Sequence, residues 1–111
     1  MTEIRKINNL DEFNGFVKEE DGKARFVKLY ADWCFPCKVL TETIKNLTEE
    51  ETGDVLFAEA NVDDEWFDEK AVELKVRGIP VVIAYKDGEE VDRLVGGAPK
   101  DVLINFIGKN R

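Results

Sequence analysis

The sequence has no histidine and only two cysteines, Cys34 and Cys37, among its 111 residues. Zinc in proteins normally takes four protein ligands, or three and a water molecule, so this pair alone does not complete a zinc site. Carboxylates or a second copy of the chain would have to supply the remaining ligands, and iron–sulfur clusters usually take four thiolates. We therefore expect the chain to bind no metal.

Long apolar runs are also missing. No stretch of about 18 apolar residues suggests a membrane-spanning helix, and the amino-terminal sequence MTEIRKINNL lacks the apolar core of a signal peptide. Sixteen basic residues against twenty-four acidic ones give a net charge of -8, which disfavours binding to nucleic acids and to anionic lipid surfaces. We expect a cytoplasmic protein without nucleic-acid or membrane partners.

The hydrophobic residues that are present predict alternating strands and helices. The predicted strands are Glu3 to Ile7, Phe26 to Ala31, Val55 to Val62, Ile79 to Tyr85 and Val91 to Val95. The predicted inward faces of the helices are Leu10, Phe13, Phe16 and Val17; Val39, Leu40, Ile44 and Leu47; Trp66, Phe67, Ala71 and Leu74; and Val102, Leu103, Phe106 and Ile107. The order β-α-β-α-β-α-β-β-α, with a hairpin turn at Asp87-Gly88, indicates an α/β protein. We expect a single domain over residues 1–111, with a mixed sheet and helices on both faces.

The segment DWCFPCK, residues 32–38, places both cysteines where a predicted buried strand meets a helix. A disulfide that closes so short a loop adds little stability, because it removes little entropy from the unfolded chain. Unpaired N–H groups and the helix dipole at this position stabilise a thiolate, the form that attacks disulfides. The pair therefore indicates thiol–disulfide exchange, with Cys34 as nucleophile and Cys37 as the residue that then attacks Cys34 and releases the product.

Two neighbours of the cysteines fit this chemistry. Pro36 suits the first turn of a helix, where its missing N–H costs no hydrogen bond. Lys38 either adds a positive charge near the sulfur atoms or is an ordinary solvated helix residue.

The motif WCFPCK resembles Trp-Cys-Gly-Pro-Cys-Lys of the thioredoxin family and differs from it only at Phe35. Further along, RGIPVVIAYKDGEEV and VGGAPKDVL resemble the family's cis-proline segment with its hairpin, and the glycine and last helix that follow. The resemblance covers nearly the whole chain and implies a thioredoxin fold, a central five-stranded mixed sheet flanked by four helices. It also implies a protein-disulfide reductase without a bound cofactor, since the electrons reside in the redox-active disulfide Cys34-Cys37.

The resemblance further implies a substrate-docking groove beside the cysteines. A cis-proline, Pro80, faces the disulfide, and Ile79 before it pairs through its main chain with an extended substrate peptide. Trp33 flanks the groove, and Gly96 lets a substrate approach. Residues 97–99 either share this rim or serve only as a turn.

Three positions depart from the family pattern. The family usually has a buried aspartate six residues before the first cysteine and a lysine on the neighbouring strand, whereas this chain has Lys28 and Glu59 there. Because an unpaired buried charge is costly, we expect these two to pair, with Glu59 or a neutral Lys28 moving the proton of Cys37. The alternative is that both side chains reach solvent. Phe35 replaces a glycine, and we expect it to shift substrate choice.

The resemblance implies disulfide-containing substrate proteins and a thioredoxin reductase, flavin- or ferredoxin-linked, as partners, and we expect a monomer. A glutaredoxin-like, glutathione-dependent reductase is the nearest alternative enzyme, favoured by Gly96-Gly97 and the atypical active-site sequence. A binding module on the same fold, with incidental redox activity, is an alternative from another class. Recharging by glutathione alone would support the first alternative, and function retained without the cysteines would support the second.

Overall fold

A computed structural model describes residues 2–111 and contains a five-stranded sheet. Its strands are β1 Ile4–Ile7, β2 Arg25–Tyr30, β3 Leu56–Asn61, β4 Val81–Lys86 and β5 Glu89–Val95. They lie in the order β1-β3-β2-β4-β5, with β1, β3 and β2 parallel and with β4 and β5 antiparallel to their neighbours. The predicted mixed sheet is thus confirmed, with strand ends within two residues of those expected.

The helices differ from the expected four by one short addition. They are α1 Leu10–Lys18, α2 Phe35–Lys45, α3 Glu49–Thr52, α4 Asp68–Glu73 and α5 Lys100–Asn110, with a 3-10 turn at Glu65–Phe67. The predicted face of the second helix includes Leu47, but α2 ends at Lys45 and α3 begins after Thr48. The Thr48 hydroxyl accepts the N–H of Glu51, and the Glu51 carboxylate accepts the N–H of Thr48. This capping box starts a separate helical turn.

The helices cover both faces of the sheet and build a hydrophobic core on each. Phe13 of α1 and Phe67 pack on one face, while Ile44 of α2 and Phe106 of α5 pack on the other. Burying a large apolar side chain contributes about 2 kcal/mol, so these clusters hold the layers together. All six residues of β2 are buried, because this strand lies at the centre of the sheet.

Three apolar side chains predicted to face the core are exposed instead. They are Leu10, Val39 and Val102. Each belongs to a helix whose other apolar residues do reach the core. These three lie at the margin of the apolar stripe, where the helix surface turns away from the sheet.

The β4-β5 hairpin brings together the segments at Pro80 and Gly96, which are distant in sequence. It turns at Asp87 and Gly88, which both have positive φ angles, as a two-residue hairpin turn requires. Pro80 directly precedes β4 and Gly96 directly follows β5, and the Gly96 N–H donates to the Pro80 carbonyl oxygen at 2.8 Å. The hairpin thereby fixes both segments at one edge of the molecule.

Candidate thiol–disulfide active site

Cys34 and Cys37 form a disulfide at the junction of β2 and α2, with their Cα atoms 5.3 Å apart. Cys34 is the N-cap residue of α2, and its Sγ accepts the N–H of Cys37 at 3.2 Å. Pro36 lies in the first helical turn, where it costs no hydrogen bond. A Cys34 thiolate at this position is stabilised by the N–H donor and by the positive end of the helix dipole. The local geometry therefore suits reversible cleavage of the S–S bond.

The two cysteines are buried, whereas the aromatic residues on either side of Cys34 in the sequence are exposed. Cys34 is 4% exposed and Cys37 is 1% exposed, whereas Trp33 and Phe35 are 71% and 73% exposed. Two exposed aromatic rings thus flank Cys34 along the chain. Large exposed aromatic side chains are typical of surfaces that bind other proteins.

Asp63 orients Trp33, and sequence reasoning did not identify it. The indole Nε1 of Trp33 donates to Oδ2 of Asp63 at 2.8 Å. Asp63 follows the end of β3, and Trp33 follows the end of the parallel neighbour β2. Carboxyl ends of parallel neighbours meet at one edge of a sheet, so the acidic stretch after β3 was the available signal.

Two further segments complete the surroundings of the disulfide. Ile79 packs against the small buried cluster that contains both cysteines, and the Ile79-Pro80 peptide bond is cis. Gly97 lies opposite Pro36, since a Cβ atom placed on it would be 3.9 Å from the Pro36 Cβ. The structure thus brings the segments around Trp33, Pro80 and Gly96 to one edge.

An open apolar groove of about 420 Å³ extends from this edge along α2. Phe35 and Val39 line it on the helix side, and Ala98 and Pro99 line it on the loop side. Gly97 lines the groove as well. The groove has room for an apolar side chain of another protein.

Behind the disulfide, Lys28 on β2 faces Glu59 on β3. The two are register partners, and Lys28 Nζ lies 3.7 Å from Glu59 Oε2. The Lys28 side chain is 1% exposed and that of Glu59 is 17% exposed, so water reaches the pair from the side of Glu59. Burial lowers the pKa of Lys28 and the carboxylate of Glu59 opposes this. Burial also raises the pKa of Tyr30, and the charge of Glu59 adds to that rise.

A cavity of about 290 Å³ connects this pair with the second cysteine. Its lining includes Lys28, Glu59, Cys37, Thr41 and the exposed Lys38. Lys28 Nζ donates to Thr41 Oγ1, and Thr41 Oγ1 donates to the Cys37 carbonyl oxygen at 3.0 Å. Sequence reasoning missed Thr41, although its spacing of four residues from Cys37 puts both on one helix face.

Within residues 2–111, no three histidine, cysteine, aspartate or glutamate side chains are grouped so as to hold a metal ion. The helices found there are also too short or too polar to cross a membrane. The site as it stands presents two sulfur atoms, exposed aromatic rings and a buried ion pair.

Comparison with known proteins agrees with this geometry. The model of the family described as Thioredoxin matches residues 4–109. The chain belongs to the thioredoxin family. Thioredoxin of Chlamydia caviae is 37% identical over 105 residues, covering 95% of this chain and 97% of that protein. Thioredoxin of Chlamydia pneumoniae is 35% identical over 112 residues, or 99% of each chain.

The fold comparison gives the same family. The X-ray structure of Fasciola hepatica thioredoxin superposes with a TM-score of 0.83 at 29% identity, covering 97% of this chain and all of that one. The predicted thioredoxin fold is thus confirmed, with five helices in place of four. The predicted enzyme class is confirmed as well, since thioredoxins are thiol–disulfide oxidoreductases and this chain has the cysteine pair. Thioredoxin membership also implies protein disulfides as substrates and a thioredoxin reductase as partner.

Proposed function

We propose that this thioredoxin-family protein reduces disulfides in other proteins, with Cys34 as the nucleophile and Cys37 as the resolving residue. The N-cap position of Cys34 carries this proposal, because the Sγ of Cys34 is the sulfur that accepts the helix N–H. A thiolate is therefore better stabilised at Cys34 than at Cys37. Cys34 is also the more exposed of the two.

The proposed reaction has two exchange steps. The Cys34 thiolate attacks one sulfur of the substrate disulfide, and the other substrate sulfur leaves with the electron pair and takes a proton. The Cys37 thiolate then attacks Cys34 Sγ, forming the Cys34-Cys37 bond and releasing the second substrate sulfur as a thiol. The two electrons come from the two thiols, so no bound cofactor is needed.

The oxidised pair must be reduced again for turnover. A thioredoxin reductase, flavin- or ferredoxin-linked, is the proposed electron donor. Reduction of other proteins needs a compartment that supplies reducing equivalents, for which we propose the cytoplasm. We further propose that the chain works as a single-domain monomer over residues 1–111, without metal, nucleic acid or membrane.

For docking, we propose an extended segment of the substrate across Trp33, Ile79, Pro80 and Gly96. These residues come from three separate segments that meet around the disulfide. The main chain at Ile79 would pair with the substrate backbone, and the exposed ring of Trp33 would cover it. Ile79 already packs against the buried cysteine cluster, which holds this backbone close to the sulfur atoms.

We propose that five neighbouring residues tune the exchange. Lys28 and Glu59 set the charge behind Cys37, because they line the same cavity as its side chain. Pro36 rigidifies the first turn of α2, and Lys38 adds a positive charge at the cavity rim. Phe35 extends the apolar surface that a substrate meets.

Trapping of the mixed disulfide tests the assignment of the two cysteines. In a Cys37→Ser variant the bond between Cys34 and the substrate cannot be resolved, so substrate proteins should remain attached and be identifiable by mass spectrometry. Cys34→Ser is the matched control, and it should trap none. If the reduced Cys37→Ser protein captures nothing, or if Cys34→Ser captures equally well, the proposed mechanism is wrong.

Two further measurements separate this function from its alternatives. Recharging of the oxidised protein by glutathione alone, at the rate seen with a thioredoxin reductase, would favour a glutaredoxin-like enzyme. Full cellular function of a variant with both cysteines changed to serine would favour a binding module. We expect neither result, because the buried pair at the start of α2 fits direct exchange with a protein disulfide.

A further inference from the structure

Two threonines of α2 make the same local hydrogen bond but differ in one contact. Thr41 Oγ1 donates to the Cys37 carbonyl oxygen at 3.0 Å, and Thr43 Oγ1 donates to the Val39 carbonyl oxygen at 3.1 Å. Only two positions separate them, which puts them on opposite sides of the helix. Thr41 in addition accepts a hydrogen bond from Nζ of Lys28. Its hydroxyl thus joins a buried cation of the sheet to the helical turn that carries Cys37.

We propose that Thr41 is a positioning residue for the resolving step: it holds the Lys28 ammonium beside Cys37, where the positive charge stabilises the Cys37 thiolate. The inference rests on the proposed function, in which Cys37 resolves the mixed disulfide. An opposite charge within a few ångströms favours the ionised form of a thiol. The charge acts only if the flexible lysine side chain is held on the side of the cavity that faces α2.

Lys28 Nζ contacts Glu59, Thr41 and the ring of Tyr30, whose centroid lies 4.9 Å away. Glu59 on β3 lies 3.7 Å from it, on the side of the cavity that water reaches. Thr41 contacts it from α2, on the side of Cys37. Without the Thr41 hydroxyl, the attraction of Glu59 would draw the ammonium toward β3 and away from the cysteine. The carboxylate of Glu59 also opposes the lowering of the Lys28 pKa by burial.

Other ionisable groups lie around the same cavity and around the Lys28–Glu59 pair. From the sheet they are Tyr30, which lines the cavity, and Lys6, which lies beside Tyr30 and Glu59. From α2 and the turn before it they are Asp32, Lys38, Glu42 and Lys45. None of them is changed by a substitution at Thr41, so a shift seen in such a variant reports on the placement of Lys28.

Thr41 assists a step in which one disulfide bond replaces another. The Cys37 thiol loses its proton to water, and the thiolate attacks Cys34 Sγ in the mixed disulfide. The Cys34-Cys37 bond forms while the bond from Cys34 to the substrate sulfur breaks, and the substrate sulfur leaves with the electron pair and takes a proton from water. Lys28 keeps its proton throughout and acts through its charge alone.

The test follows single-turnover reduction of a protein disulfide across a pH series, with acid quenching and mass spectrometry of the mixed disulfide. Thr41→Val removes the hydroxyl but keeps the shape, and we expect an unchanged rate of capture by Cys34. We expect the pH midpoint of resolution to rise by about one unit. Resolution at pH 7 should be about threefold slower, since the greater nucleophilicity of a more basic thiolate offsets part of the tenfold loss of thiolate.

Thr41→Ser should restore the midpoint, and Thr43→Val should leave it unchanged. In a Lys28→Met background, Thr41→Val should have no further effect on the midpoint. An unchanged midpoint in Thr41→Val, slowing by the same factor at every pH, or an equal shift in Thr43→Val would overturn the proposal. These results differ from failure of the proposed function itself, in which the parent protein would form no mixed disulfide at Cys34.

Discussion

Lys28 and Glu59 are register partners on neighbouring parallel strands, and their charged atoms lie 3.7 Å apart beneath the helix that carries Cys37. Each stands between two apolar neighbours in its strand. A buried charge is tolerated when a partner of opposite charge lies beside it, which is what the register provides. The pair therefore links the stability of the sheet to the environment of the second cysteine.

Removing the Glu59 carboxylate alone should cost more stability than removing both charges. Glu59→Met leaves the Lys28 ammonium buried and unpaired, and we expect it to lower the free energy of unfolding by roughly 3 kcal/mol. The double variant Lys28→Met, Glu59→Met should lose less than the sum of the two single variants. Urea unfolding followed by circular dichroism measures all three.

Lys6→Met is the matched control for this cycle. Lys6 is the register partner of Glu59 on its other side, but it is exposed. An exposed charge contributes little, so this substitution should change the free energy of unfolding by no more than about 0.5 kcal/mol. Strict additivity of the Lys28 and Glu59 substitutions would show that the two side chains are not coupled.

Tyr85 should make the protein lose stability in alkali. Burial raises the pKa of its phenol above the ordinary value of 10.0, and the charge of Glu90 adds to the rise. Below about pH 10 the phenol is protonated in both the folded and the unfolded chain and has no effect on the pH dependence of stability. Above that pH the unfolded chain loses the proton first, so the free energy of unfolding falls as the pH rises.

Tyr85→Phe should make this fall shallower by up to about 1.4 kcal/mol per pH unit. Urea unfolding from about pH 8 to pH 11 measures the slope. Tyr30, whose pKa is also raised by burial, stays in the variant, so part of the fall should remain. Equal slopes in the two proteins would contradict a buried, protonated Tyr85.

Asp63 should matter for protein substrates but not for small disulfides. Asp63→Ala removes the acceptor that orients the Trp33 indole. A lost hydrogen bond of this kind is worth about 1 kcal/mol, so kcat/KM for a protein disulfide should fall about fivefold. The rate with a small aromatic disulfide, which does not need the docking surface, should stay the same.

Asp64→Ala is the matched control for Asp63. Asp64 is the next residue, and its carboxylate accepts the indole N–H of Trp66 at 3.3 Å, away from the cysteines. This variant should reduce the protein disulfide at the rate of the parent. An equal loss in both variants would mean that the acidic segment acts through its total charge and not through Trp33.

Phe35 should contribute binding energy for protein substrates. Phe35→Ala removes an exposed ring from the apolar groove, and the lost contact of about 1 kcal/mol should raise KM for a protein disulfide about fivefold. Stability should hardly change, because the ring is 73% exposed. Steady-state kinetics with two unrelated protein substrates would show whether the effect depends on the substrate.

Val72→Ala tests whether any exposed apolar side chain has this effect. Val72 lies on α4 and is exposed like Phe35, but it is remote from the groove in sequence and does not line it. Its substitution should leave KM unchanged. Parent-like kinetics in Phe35→Ala would contradict a role of the ring in substrate contact.

The sequence alone determined the order of the elements and the reactive pair. Apolar patterns indicate which faces are buried, as in the run from Phe26 to Ala31 and the helical spacing of Phe13, Phe16 and Val17. Burial in turn dominates the choice of local structure. The CxxC spacing at a strand-to-helix junction likewise carries its chemistry locally. The apolar pattern does not predict α3, because the apolar spacing continues through Leu47. A capping box at Thr48 and Glu51 nevertheless starts a separate helical turn there.

Only the tertiary structure decided which distant residues meet. The hydrogen bond from Trp33 to Asp63 and the contact of Lys28 with Thr41 each join residues from separate segments of the chain. Such contacts depend on strand register and on where α2 crosses the sheet. Register and crossing are set by the packing of the whole core, and no local pattern specifies them.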